Sequence, residues 1–287
     1  MTASTALPRR HDIDWLRVIL FSLLIWFHFV YFQLDKEWIE SSLLAAAVLD
    51  VMHQWRLAAL FVISGMGTAF AFRRRTWQQY LRGRLTRLLL PLLLVTYVLQ
   101  FGLFQPVQTT LDLFTVFPGI EAMPYGHLWF VYNLLIYSVL LLPVFIWLRK
   151  HPHGWLLSSV KRVLQVHRGL GLLLLPVLIL WLNGLLFKPW MPGEVGMWWE
   201  FPRYLLYFAC GYILLCIPTD YFAALERVRW PVTILLPILV WCYIKRDGWT
   251  NMPGVIEGGW VLKGYPALTL DSTLMTLIQA LHSWSWC

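Results

Sequence analysis

The sequence predicts an all-α fold, a polytopic integral-membrane helical bundle of about eight transmembrane helices, and three observations carry that expectation. The chain is 59% hydrophobic and only 13% charged, where soluble domains sit near ~25% charged. Several apolar runs approach the ~20 residues that a helix needs to cross a bilayer. Basic residues collect in short segments between those runs rather than along them, which is the pattern that sets membrane topology.

The candidate spans are 15–32, 57–72, 88–104, 127–148, 169–187, 203–217, 231–244 and 269–286. The first run is long for a signal-peptide core and is followed by Gln33, Asp35, Lys36 and Glu37 without a small-residue cleavage site, so it is expected to stay as a helix. Residues 43–56 carry Asp50, His53 and Arg56 at three-residue steps, which reads as a helical extension of the second span lining an outer vestibule. Pro231 and Pro237 make the seventh run a kinked helix or one that begins before Trp230. Tryptophans in the segments 188–202 and 247–266 fit interfacial anchoring. The final run stops at Trp284-Ser285-Trp286-Cys287 with no polar tail. The expectation is therefore one transmembrane domain over 1–287 that continues further in the natural protein.

With the N-terminus in the cytoplasm, sixteen Lys and Arg fall on inner segments and seven on outer ones. That bias favours this orientation over its inverse. The net charge of +8 is thereby explained as topogenic, and no nucleic-acid partner is read from it. Cys210, Cys216, Cys242 and Cys287 have no metal-type spacing and read as packing residues. His151-Pro152-His153 and His167 lack supporting carboxylates or cysteines, so no metal site is read. There is no P-loop and no dinucleotide fingerprint.

Two polar groups stand inside the first run. Arg17 and His28 are separated by ten residues, all apolar except Ser22. Eleven helical steps advance about 16.5 Å and return to nearly the same face, so the two share one stripe. Ionisable groups at membrane depth are costly and mark functional paths. A packing role remains open to His28, but its ordinary pKa near ~6.5 suits proton transfer. Asp14 and Arg17 form an i,i+3 ion pair at the helix entry, for which a structural role is equally open. Arg84 and Arg87 are three apart just before the third run. Guanidinium groups suit bidentate phosphate binding, and positive-inside anchoring is the alternative. His127 and Trp129 open the fourth run, where interfacial packing competes with a place near the site. Asp50, His53, Arg56 and Glu121 are candidates for an acceptor vestibule or simple interfacial residues.

Several motifs together resemble membrane acyltransferase family 3, which includes carbohydrate O-acetyltransferases and glucan succinyltransferases. They are Asp14-Trp15-Leu16-Arg17 with His28 ten residues on, Phe61-Val62-Ile63-Ser64-Gly65 before the arginine run, and Arg84-x-x-Arg87. His127-Leu128-Trp129-Phe130 and Phe208-x-x-Gly211-Tyr212 extend the likeness over roughly residues 12–215. The resemblance implies about ten spans, of which this chain offers about eight. It also implies acyl-CoA as cytoplasmic donor substrate with no bound cofactor, and an acceptor carbohydrate or glycan hydroxyl at or beyond the bacterial inner membrane. On that basis His28 is the expected catalytic base, and Arg17, Arg84 and Arg87 bind the donor. Asp14, His127 and Trp129 are possible site neighbours. No residue identifies itself as the donor for charge on the carbonyl oxygen. The rival reading is a secondary transporter using Arg17 and His28 as a proton or anion relay, and a third is an inactive fragment of the acyltransferase.

Overall fold

The computed structural model describes residues 11–33, 43–94, 129–187, 200–249, 277, 280–281 and 284–285. Among them every regular element is a helix and no strand occurs. Helix α1 (His11–Gln33) opens with Asp12 and Asp14 in its first turn, where negative charge meets the positive end of the helix dipole. Helix α2 (Leu43–Arg74) runs unbroken through the expected extension and ends on Arg73 and Arg74, the complementary arrangement. Helix α3 (Trp77–Arg84) begins at a capping box: the Gln79 amide N–H donates to the Thr76 hydroxyl at 3.3 Å, and the Thr76 amide to Gln79 Oε1 at 3.1 Å.

Beyond α3 the chain widens into a π-helical turn, Leu85–Leu89, before α4 (Leu90–Leu94). Pro91 explains the widening, because it lacks an N–H to close on the previous turn and its ring crowds the carbonyl four residues back. The Thr86 hydroxyl donates to Arg82 O at 3.0 Å within that turn.

Helices α5 (Trp129–Leu140) and α6 (Leu142–Lys150) meet at a 46° bend at Leu141, with Pro143 in the first turn of the second half. Helix α7 (Trp155–Gln165) is amphipathic, burying Leu157 and Leu164 while Trp155 and Arg162 are exposed. Helix α8 spans Gly171–Phe187, α9 Glu200–Cys216 and α10 Pro218–Trp249. Of the two readings of the seventh run, a helix that begins before Trp230 is the one observed: α10 starts at Pro218 and includes Arg227 and Arg229, which the charge count places on an inner segment. Pro218 sits at its first position, where no N–H is missed, and α10 leaves α9 at 109°.

Trp55–Arg74 is long and apolar enough to cross a membrane, and each bent pair taken as one span brings the number to three among the described residues. The apolar runs 88–104 and 269–286 lie largely outside them. Exposed apolar residues recur at three- and four-residue steps, as in Leu174, Leu178, Leu182 and Leu186 of α8 and Trp230, Ile234, Ile238 and Trp241 of α10. Helix α1 shows Trp15, Ile25 and Phe29 in the same way. Continuous stripes of this size are what hydrocarbon, not water, covers.

The centre of the bundle is the crossing of α2 and α9. A Cβ on Gly65 would stand 2.0 Å from Phe208 O, and one on Gly211 would stand 2.0 Å from Val62 O. Each helix thus lays its backbone into the gap left by the other's glycine, the small-residue packing that membranes favour. Aromatic rings close around this contact: Phe61 stacks on Tyr204 at 4.9 Å and Phe145 on Tyr212 at 3.9 Å. Gly65→Ala and Gly211→Ala should each lower stability by about 1–3 kcal/mol through forced separation of the helices. A lower melting temperature in detergent for both variants is the expected result.

Candidate active site

Helix α1 lies antiparallel to α2. Near one end the Arg17 guanidinium crosses Gly67, with Nη2 only 2.7 Å from where a Cβ would be. Near the other, the Arg56 guanidinium carbon lies 3.2 Å above the centre of the Phe27 ring. The absence of a side chain at Gly67 makes room for Arg17, which also pairs with Asp14 at 3.6 Å. A local i,i+3 pair of this exposure contributes little to stability, but it holds the arginine's stem in one direction.

Thr68, next to Gly67, is fully buried. Its hydroxyl donates to Ser64 O at 2.9 Å, the usual back-bond of threonine within a helix. The same oxygen accepts from Arg84 Nη2 at 2.6 Å and from the Tyr80 hydroxyl at 3.3 Å. Arg84 Nε in turn donates to the Tyr80 hydroxyl at 3.3 Å. Tyr80 and Arg84 are four apart on α3, so the capping box that starts this helix also aims both side chains at α2. Arg84 is close enough to Arg17 for the two charges to repel. Two guanidinium groups held together with one local carboxylate form a site of net positive charge, suited to an anion with several oxygens.

Arg87 does not join them. A plain helix would put it beside Arg84, but the π turn carries it round, and it is exposed while Arg84 is half-buried. Gly67, Thr68 and Tyr80 are supports that the sequence alone did not single out. Their signal was present as a glycine beside a threonine in an apolar helix, and as a Tyr four residues before an Arg behind a capping box.

At the level of Phe27, Arg56 is 2% exposed. Tyr204 lies within electrostatic range of it, and Trp129 packs on Tyr204 with ring centres 5.5 Å apart. Trp129 therefore belongs to the aromatic cluster around Arg56. His28 follows Phe27 in α1 and is described by its backbone only; His127 and Glu121 lie outside the described residues, as do the side chains of Asp50 and His53. A separate groove of about 240 Å³ runs between α1, α2 and α10, walled by Ile13, Leu16, Leu20, Trp55, Met66 and Phe222 among others, with Asp12 at its wall. Among the described residues no three His, Cys, Asp or Glu gather as a metal site would require.

A family model described as an acyltransferase domain matches residues 10–245, and the chain belongs to that family, the membrane-embedded acyltransferase family 3. Glucans biosynthesis protein C from Salmonella paratyphi B is 27% identical over 161 residues, which is 52% of this chain and 42% of that protein. The same figures hold for the proteins of that name from Salmonella heidelberg and Salmonella agona. The matched region thus spans less than half the length of these relatives. No solved structure gives a significant match.

Thr68→Val removes the acceptor shared by Arg84 and Tyr80. Loss of a buried hydrogen-bonded hydroxyl should cost about 1 kcal/mol or somewhat more. A fall in melting temperature smaller than that of Gly65→Ala is the expected result, and no change at all would count against the hydroxyl as the anchor of Arg84.

Proposed function

We propose that this protein is a membrane-bound O-acyltransferase that moves an acetyl- or succinyl-type group from cytoplasmic acyl-CoA to a hydroxyl of a carbohydrate or envelope glycan. On this reading residues 1–287 form one transmembrane acyltransferase-like domain with about eight spans. It sits in the bacterial inner membrane with the N-terminus in the cytoplasm. The glycan acceptor is taken from the name of the relatives, glucans biosynthesis protein C.

The observation that supports the reading most is the convergence of Arg17 and Arg84 over Gly67 and Thr68. Coenzyme A presents phosphates, and two fixed guanidinium groups are a matching anion holder. Arg87, exposed and turned away from the pair, adds positive charge to the same segment rather than to the pair itself. Asp14 steadies Arg17. From Arg17 the α1 axis advances about 16 Å to His28, so a donor held at the arginines has an extended arm's length to reach it.

The chemistry then runs through His28. Its imidazole takes the proton of the acceptor hydroxyl as the oxygen attacks the thioester carbonyl carbon. The new C–O bond forms and the carbonyl π pair moves onto oxygen. Collapse of that tetrahedral species breaks the C–S bond, and the departing thiolate takes the proton from the imidazolium. Trp129, in the aromatic cluster around Arg56, flanks the acceptor side, and His127, two residues before it in sequence, is a further candidate neighbour from the sequence alone.

Transfer of labelled acyl groups from acyl-CoA to envelope fractions by the full-length protein tests the proposal. His28→Ala should lower kcat by about 10²–10⁴-fold with the fold intact. Arg17→Ala and Arg84→Ala should each raise the Kd for acyl-CoA by about 10–100-fold, the loss of one charge-assisted contact. Wild-type turnover in His28→Ala would remove the base. Absence of any acyl transfer by the wild type, with substrate flux across proteoliposomes instead, would replace the enzyme by a transporter.

A further inference from the structure

The register of α1 on α2 brings Arg56 to the level of the residues next to His28. Arg17 lies over Gly67, and eleven helical steps lead from Arg17 to His28 on one helix and from Gly67 back to Arg56 on the other. Because the helices are antiparallel with the same rise per residue, Arg56 stands at the depth of His28. The contact of Arg56 with Phe27, the residue before His28, agrees with that register.

Arg56 is nearly inaccessible, and its Nε and Nη1 have no hydrogen-bond partner among the described residues. With the guanidinium carbon 3.2 Å from the ring centre, only a face-to-face arrangement avoids overlap. The Phe27 face attracts the cation from below. It leaves the Nε and Nη1 N–H groups, which lie in the guanidinium plane, without acceptors among the described residues. A permanently charged group buried with open donors is unfavourable unless an anionic oxygen joins it.

We infer that Arg56 is a catalytic residue that donates hydrogen bonds to the acyl carbonyl oxygen as negative charge develops on it. The inference rests on the acyl-transfer reading and supplies the donor that reading otherwise lacks. In the step already described, the π pair pushed onto the carbonyl oxygen creates an oxyanion beside the imidazolium of His28. Arg56 meets that oxyanion with an in-plane N–H, and releases it when the carbonyl re-forms and the thiolate leaves. Since the guanidinium is held on Phe27 before the charge appears, little reorganisation accompanies the step, which is the condition under which such donors are most effective.

The test uses the full-length protein with Arg56→Met, Arg56→Gln and Arg56→Lys. CoA thiol release is measured from acetyl-CoA and from succinyl-CoA with a glucan-containing envelope fraction as acceptor, alongside thermal melts in detergent. The Met and Gln variants should lose about 10²–10³-fold in kcat with both donors. The KM for each donor should move by no more than about twofold, as for an interaction made only in the transition state. Lys should restore part of the rate, and the Met variant should melt no lower than wild type, because it removes an unpaired buried charge. A loss confined to succinyl-CoA and seen in KM would make Arg56 a holder of the acyl carboxylate and overturn the inference. So would wild-type rates in the Met variant, or a melting point lowered in step with activity. A wild type that turns over neither donor would overturn the acyl-transfer reading itself.

Discussion

The backbone-to-backbone crossing of α2 and α9 is the contact on which everything else in this bundle is hung. Gly65 and Gly211 each receive the other helix's carbonyl region at a distance that admits no side chain. In hydrocarbon there is no hydrophobic drive to bring helices together, so close packing of this kind is a main source of association. Once α2 is fixed against α9, the face of α2 that carries Arg56, Gly67 and Thr68 is fixed too. Phe61 ties the same helix to α5 and α9 through Phe130 and Tyr204, with ring centres at 4.6 and 4.9 Å.

The arginine pair shows how a repulsive arrangement is kept. Two like charges side by side in a partly buried place are unfavourable unless each is anchored independently. Asp14 anchors Arg17 from its own helix, and Arg84 is anchored by Tyr80 on its own helix and by Thr68 on α2. Neither anchor neutralises the pair completely, and the remaining positive charge is available to a ligand. Holding the side chains in place beforehand also reduces the entropy lost when that ligand binds.

Much of this was legible in the chain. The apolar runs and the charge pattern marked an all-helical membrane protein, and the family match agrees with the motif at Asp14, Arg17 and His28. Arg84 stood out in the chain by its place just before an apolar run. What was not legible depended on contacts between elements. Arg56 read as an outer basic residue or a vestibule-lining one, and its near-complete burial over the Phe27 ring could not be foreseen because that contact comes from another helix. Arg87 read as the neighbour of Arg84 because helical spacing is assumed constant, and the π turn breaks that assumption. How far before Trp230 α10 starts was not legible, because the charges at Arg227 and Arg229 masked the helical pattern of Tyr221, Ala224 and Val228, which bury one face.

The widened turn at Leu85–Leu89 ties the length of the chain to its phase. Arg84 before it faces the bundle, while Leu90, Leu93 and Leu94 after it are exposed. A π turn takes up one residue more than an α turn over nearly the same rotation. Those inner and outer faces stay aligned only because the extra residue is absorbed there. A relative that keeps a regular helix at this point must carry one residue fewer to present the same two faces, so a single-residue gap in an alignment here would mark conserved geometry rather than divergence.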